Sequence, residues 1–356
     1  MESLRELDLE GTVITNLPPS IVHLNRLYRL DVIDCKMLEN LPSNIGEIKS
    51  LQYLYLNETA IKDLPPSIEQ LEGLVQLALS DCKILGSLPS NIGRMKSLRE
   101  LLLNGTAIKD LPPSVEQLKC LDKLDLTNCK MLGSLPSDIG GMTSLNELFL
   151  NGTVIKDLPP SVEQLKGLYK LDLTDCKMLG SLPSNIGEMK SLKELCLGGS
   201  GIKKLPSSIS LADLGELDWS NCNLDEESIL NLPQSSQDLN LSGNNFVSLP
   251  ASFTQLTRLY SLRLDDCLSL QTLELLPSSI HSVFAKDCVS LERYSIPNGA
   301  YIFELNFVET HKLVENHGNK KPNVYYSENP LQEIGGSILL PGNEIPSGFC
   351  RIKYES

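Results

Sequence analysis

The stretch Leu98–Ser144 reads LRELLLNGTAIKDLPPSVEQLKC and then LDKLDLTNCKMLGSLPSDIGGMTS. Both halves share one skeleton: L-x-x-L-x-L, a small corner residue, a Leu-Pro step and an apolar close. Working outward, thirteen turns of this skeleton open at Leu4, Leu27, Leu51, Leu74, Leu98, Leu121, Leu145, Leu168, Leu192, Leu214, Ser236, Leu259 and Ile280. Ser236 is the polar exception. As far as Leu192 the steps alternate between 23 and 24 residues, so the true unit is a 47-residue doublet. Self-similarity at this period marks a solenoid, whose turns bury their apolar faces against one another.

Counting each opening residue as position 0, the leucines at positions 3 and 5 belong inside a short strand, and positions 2 and 4 face outward. Position 8 holds Thr12, Thr59, Thr106, Thr153, Ser200 and Asn244 in one class of turn. In the other class it holds Cys35, Cys82, Cys129, Cys176, Cys222 and Cys267, and Cys288 follows in the last turn. We term these threonine turns and cysteine turns. A small donor there can bond backbone groups left over at a buried corner. The Leu-Pro-Pro step reads as extended chain, since proline fixes φ and cannot join a ladder. Ser67–Gln70, Ser114–Gln117 and Ser161–Gln164 have the form of capping boxes on a short helical turn.

A length of 356 residues would suggest two or three domains, but a stacked repeat forms one continuous core. Hydrophobic content of 41% with only 5% aromatic fits a leucine core. The formal charge of −14 argues against nucleic acid, which needs clustered Lys and Arg, and against an anionic membrane surface. MESLRELDLE lacks the basic and apolar regions of a signal peptide, and no stretch approaches the roughly 20 apolar residues of a membrane helix. The expected setting is the cytoplasm, with the nucleus as a second compartment. Alternate cysteines should lie about 10 Å apart, two strand spacings, whereas a disulfide needs Cα atoms within about 7 Å. Only Cys267 and Cys288 fall in adjacent turns, so the column reads as reduced and buried. Of the sequons at Asn57, Asn104, Asn151 and Asn240, the first three arise from one repeated Asn-Gly/Glu-Thr corner, and the four are not read as glycosylation sites.

The solenoid is expected over 1–297, about 13 turns, with a different, β-rich segment over 298–356. Leu4, Leu7 and Leu9 begin an inner turn with no cap before it, as inside a longer array. In the tail, Tyr301–Phe307 alternates like a strand, 317–321 is polar, and Ser337–Leu340 restarts a strand.

Enzyme signatures are missing: no phosphate-binding G-x-x-x-x-G-K-[ST], no H-E-x-x-H, no G-x-S-x-G and no paired C-x-x-C. His23, His281, His311 and His317 are scattered, and Cys350 has no demonstrable partner. The reading is a chain without catalytic, metal or cofactor residues. Function then falls to the open face of the strands. Asp8, Asp31, Asp125, Asp172 and Asp218 share position 4 and form an acidic column, with Tyr53, Tyr55, Leu102 and Phe149 beside it. Aromatic anchors of this kind are enriched at protein interfaces, so these nine residues are the candidate protein-binding site.

The skeleton is that of a leucine-rich repeat, giving an α/β solenoid, a horseshoe with short parallel strands on its concave face and a partial β-rich C-terminal segment. The alternation of Gly105-Thr106 with Cys129-Lys130, repeated at Gly152-Thr153 and Cys176-Lys177, resembles plant TIR-type nucleotide-binding leucine-rich-repeat disease-resistance proteins. Leu340-Pro341-Gly342-Asn343-Glu344-Ile345-Pro346 is similar to the opening of that family's post-repeat jelly-roll domain (C-JID), with Gly348 where the family has Trp. The resemblance implies a recognition and regulatory module of an intracellular immune receptor. Its implied partners are a pathogen effector or guarded host protein, and the nucleotide-binding and TIR domains of the same or a partner receptor. The competing expectation is a non-immune intracellular signalling scaffold built on the same repeat.

Overall fold

The computed structural model describes residues 3–297, 300, 302–308, 310 and 312, and the backbone of 337–339. The chain divides into two units, Met1–Leu192 and Lys193–Ser356.

In the first unit each turn opens with a three-residue strand: β1 Glu6–Asp8, β2 Arg29–Asp31, β3 Tyr53–Tyr55, β4 Gln76–Ala78, β5 Glu100–Leu102, β6 Lys123–Asp125, β7 Glu147–Phe149 and β8 Lys170–Asp172. They pair in parallel, in chain order and in strict register, Leu54 beside Leu77 and Leu101 beside Leu124. The inward leucines from Leu30 to Leu171 are fully buried, each worth about 1.5–3 kcal/mol of apolar burial. At the first turn Leu4 is exposed and Leu7 and Leu9 are half-buried.

The corner explains the alternation of turn classes. Position 7 is left-handed throughout, with glycine in the threonine turns other than that of Glu58 (Gly105, φ +73°) and Asp or Asn in cysteine turns (Asp81, φ 56°). A Cβ on Gly105 would lie 2.5 Å from Asp81 Oδ1, and one on Gly152 would lie 2.4 Å from Asn128 Oδ1. The Asx side chain of one turn thus occupies the space that glycine leaves in the next. At position 8 each cysteine thiol donates back to the position-5 carbonyl of the preceding turn: Cys82 to Leu56 at 3.1 Å, Cys129 to Leu103 at 3.1 Å, Cys176 to Leu150 at 3.2 Å. The cysteine donors expected at the corner therefore make inter-turn bonds, whereas Thr59 Oγ1 donates within its own turn, to Leu56 O at 2.8 Å. The cysteines at this corner are free and buried, and burial pushes the thiols of Cys82, Cys129, Cys176 and Cys222 upward in pKa. Thr59, Thr106 and Thr153 are buried, and Asn104 and Asn151 accept hydroxyl bonds from Ser80 and Thr127.

On the far side the Leu-Pro-Pro step leads into short 3-10 turns at Pro66–Gln70, Pro113–Gln117 and Pro160–Gln164, answered in cysteine turns by Ile45–Glu47, Ile92–Arg94 and Ile139–Gly141. The expected capping boxes do not form. The N-cap is Pro65, extended at φ −65°, and Ser67 lies inside the turn with no side-chain cap bond. A capping box needs the serine itself at the N-cap. Ser67 Oγ instead accepts the Gly46 N–H of the preceding turn at 3.4 Å, and Glu69 reaches forward to accept Asn91 N–H at 2.9 Å. Capping is between turns because a single 3-10 turn is too short to cap itself.

The second unit continues the pattern with β9 Glu194–Cys196, β10 Glu216–Asp218, β11 Asp238–Asn240 and β12 Ser261–Arg263. After these come β13 Thr272–Leu273, β14 Ser282–Phe284, β15 Arg293–Tyr294, β16 Glu304–Asn306 and β17 Ser337–Leu339. β9 to β12, β14, β16 and β17 are parallel neighbours in one sheet; β13 and β15 form a second parallel pair. Trp219, Phe246 and Phe253 fill its core, and Trp219 Nε1 donates to Ile202 O at 3.0 Å. Past Pro297 one more turn keeps the repeat geometry. Opening at Ile302, it sets Leu305 beside Val283, buries Phe307 at position 5, and closes with Thr310 Oγ1 donating to Phe307 O at 2.6 Å. The Leu340–Pro346 motif, His311, 317–321 and Cys350 lie outside the described residues.

Candidate protein-binding face

On the open face, positions 2 and 4 of β2 to β12 flank the buried leucine at position 3. The position-4 carboxylates have a local task. Oδ1 accepts the backbone N–H two residues on in Asp8 (3.0 Å), Asp31 (3.1 Å), Asp125 (2.9 Å), Asp172 (3.0 Å) and Asp218 (2.9 Å). Asn240 and Asn306 do the same. These are Asx turns, which favour Asp or Asn for backbone reasons alone. Where Ala78 stands in the column, the N–H of Ser80 is served by Asn57 Oδ1 at 2.9 Å from the preceding turn. Asp31 is also only 2% exposed and pairs with Arg29 at 2.9 Å, so it is withdrawn from the surface.

Threonine turns carry no carboxylate at this position between β3 and β7. They carry Tyr55, Leu102 and Phe149, half-buried side chains with no backbone turn to close. Tyr55 is held at its ring and at its hydroxyl. The Arg29 guanidinium lies 5.1 Å from its ring centroid, its hydroxyl donates to Gln76 Oε1 at 2.9 Å, and Gln76 Nε2 donates to Glu100 at 2.9 Å. Burial, the first cause, and the nearby acids hold its phenol above the usual range. Ala78, its register partner, is 1% exposed, so the small side chain leaves room beneath a locked ring. Tyr53 packs against Tyr55 at 6.4 Å and edge-on against Tyr28 at 6.3 Å; Tyr28 donates to Glu6. Phe149 lies between Asp125 and Asp172 in register, with Lys123 Nζ 4.8 Å above its ring and 3.2 Å from Glu147.

Tyr53 and Tyr55 therefore share one patch in the first unit, Leu102 stands in register between Ala78 and Asp125, and Phe149 between Asp125 and Asp172. Asp8 lies exposed at the first strand, and Asp218 belongs to the second unit. Sequence reading missed Tyr28, which stands at position 1 and outside the strand columns. It also missed a stack in the second unit: Tyr260, His281 and Phe303, at position 1 of three successive turns, with centroids 4.5 and 5.4 Å apart. A scan of position 1 would have found Tyr28 and the Tyr260–His281 pair, but not Phe303, whose turn the spacing hides.

Among solved structures the chain is similar to a leucine-rich-repeat protein of Leptospira interrogans, 28% identical with a TM-score of 0.70, covering 88% of this chain and 89% of that one. It also shares its fold with Drosophila Toll in the Toll–Spatzle complex, at 21% identity and a TM-score of 0.60, over 76% of this chain and 41% of that one. Among curated proteins it is similar to disease resistance protein RPS4 of Arabidopsis thaliana, 45% identical over 51 residues, which is 14% of this chain and 4% of the relative. It resembles disease resistance-like protein DSC1 of the same plant at 33% over 137 residues, 33% of this chain and 11% of the relative. The chain thus spans a small part of the curated relatives it matches. The description "leucine-rich repeat region" matches residues 32–104, and "disease resistance protein RPS4B-like, leucine-rich repeats" matches 117–300, more than half of the chain. The chain belongs to the RPS4B-like leucine-rich-repeat family of disease resistance proteins.

Proposed function

We propose that this chain is the recognition and regulatory part of an intracellular plant immune receptor, acting by binding protein through the open face of the first unit. The observation that carries this reading is the chemistry of position 4. The acids there close local turns, whereas Tyr55, Leu102 and Phe149 do no such work and leave apolar surface beside carboxylates. Oδ2 of Asp125 and of Asp172 makes no hydrogen bond among the described residues, which suits a partner with basic groups around an apolar anchor. A ring held as Tyr55 is held loses little rotamer freedom on binding, which favours its use as an anchor.

In this reading the repeats contact the nucleotide-binding module in the off state, and an effector or guarded host protein displaces or reshapes that contact. A ligand moves such an equilibrium only by its differential affinity for the two states. The test is co-precipitation from plant tissue of the full chain with the nucleotide-binding and TIR portion of the Arabidopsis RPS4 relative. Loss of the association in a Tyr55→Ala, Leu102→Ala, Phe149→Ala triple variant is expected. Equal recovery of wild type and variant would reject this face.

A further inference from the structure

A second surface stands apart from the open face. At the corner after position 8, the side chain that follows Cys-Lys is apolar and points outward: Met37, Ile84, Met131 and Met178 are each more than half exposed. In the threonine turns between them the corresponding outward residues are Val13, Ala60, Ala107 and Val154. Among the described residues, six of the eight large apolar side chains exposed in the first unit lie on this one edge. Large side chains alternate with alanines in its middle, so the edge is a row of knobs and hollows. A hollow beside Ile84, lined also by Thr59 and Ala60, has a volume of about 440 Å³. Its walls carry Lys36 and Lys83 but also Glu58 and Asp81, and Lys36 pairs with Asp34 at 2.8 Å. The strip is apolar along its crest and charge-balanced along its flanks.

We infer that this edge is a self-association surface, occupied by the same edge of a second copy of the chain, running antiparallel. Three features select that occupant. A contiguous exposed apolar strip marks an interaction site. Its balanced flanks favour neither an acidic nor a basic partner, but they complement themselves: a two-fold operation sets the lysines of one copy against the acids of the other. The period gives the third. The large side chains recur every second turn, about 9.6 Å, whereas a heptad helix repeats about every 10.5 Å and falls about 3 Å out of step across the four of them. An extended strand repeats on one face every roughly 6.7 Å and fits worse. Only a surface of identical spacing keeps knobs over hollows along all eight turns of the first unit. The pairing leaves the open face uncovered, so it stands or falls independently of the proposed function.

Sedimentation velocity on the purified full chain from about 1 to 100 μM tests this. The expected result is a concentration-dependent dimer, abolished in a Met37→Lys, Ile84→Lys, Met131→Lys, Met178→Lys variant and retained in Phe149→Ala. All four substitutions are at exposed positions, and circular dichroism with a melting curve checks that the variant is folded. A wild-type chain that is monomeric throughout, or a folded Lys variant that dimerises like wild type, overturns the inference. Dimerisation lost equally in Phe149→Ala would move the interface to the open face and overturn it as well.

Discussion

The thiol of Cys82 and the hydroxyl of Thr59 converge on one carbonyl, that of Leu56, at 3.1 and 2.8 Å, with oxygen and sulfur 3.3 Å apart. Two turn classes meet at this node, and it is why they alternate: the threonine bonds within its own turn and the cysteine reaches back to it. The hydroxyl–thiol contact and the thiol's bond to the preceding turn recur at Thr106 with Cys129 and at Thr153 with Cys176.

Removing the thiol donor while keeping its volume should weaken this link. Cys129→Val is expected to destabilise the chain by about 1 kcal/mol, the net worth of one buried hydrogen bond. The measurement is the urea midpoint compared with wild type.

Burial raises the pKa of Cys82, Cys129, Cys176 and Cys222 above the unfolded thiol value. A raised folded-state pKa means that the folded state holds its protons longer. This contribution is therefore fully present below about pH 8.5 and is lost as pH rises toward the folded values. Melting temperature should fall between pH 8 and 9.5, and less so when these four cysteines are replaced by valine. In the native chain at pH 8, exposed Cys120 should alkylate with iodoacetamide while these four stay protected.

Position 7 yields a pair of opposite signs. Gly105→Ala meets both a left-handed φ and Asp81 Oδ1, and should cost about 1–2 kcal/mol or more. Glu58 occupies the same position at φ 58° without being glycine. Glu58→Gly should stabilise by up to about 1 kcal/mol, read from the same denaturation curves.

Ser236 opens its turn where the others carry leucine or isoleucine, is fully buried, and its hydroxyl has no hydrogen-bond partner. Ser236→Ala should raise stability by about 1 kcal/mol, because an unsatisfied buried hydroxyl is removed. A lower melting temperature in that variant would show that the hydroxyl is satisfied after all.

The skeleton was legible because Leu30 to Leu171 recur with so little substitution that strand, register and inward face follow from spacing. The turn at Ile302 was not, because Ile302 and Phe307 replace the leucines and hide the period. Capping was misread at Ser67, since the sequence form of a capping box does not reveal that the helix is a single 3-10 turn whose donors face a neighbour. The alternation set positions 2 and 4 beside the leucine ladder, but it did not reveal that Asp31 and Ala78 in that column are buried. The meaning of the aspartates was not: an Asx turn and a recognition carboxylate look alike until Oδ1 is seen on the backbone of Thr127 or Thr174. The outward Met37 and Met131 passed unnoticed because a methionine beside a leucine reads as core.

The most direct test separates these two roles of position 4. Asn240 and Asn306 show that asparagine closes the same turn, so Asp125→Asn with Asp172→Asn should leave the fold intact. Binding of the full chain to the purified nucleotide-binding module of the RPS4 relative would be measured by calorimetry for three chains. These are wild type, the double Asn variant, and Tyr55→Ala with Leu102→Ala and Phe149→Ala. The expected order is a loss of affinity of about 30-fold or more for the apolar variant, as when hot-spot anchors are truncated, and only a few-fold for the Asn variant. Unchanged affinity in the apolar variant, with binding abolished by the Asn pair, would contradict recognition through Tyr55, Leu102 and Phe149.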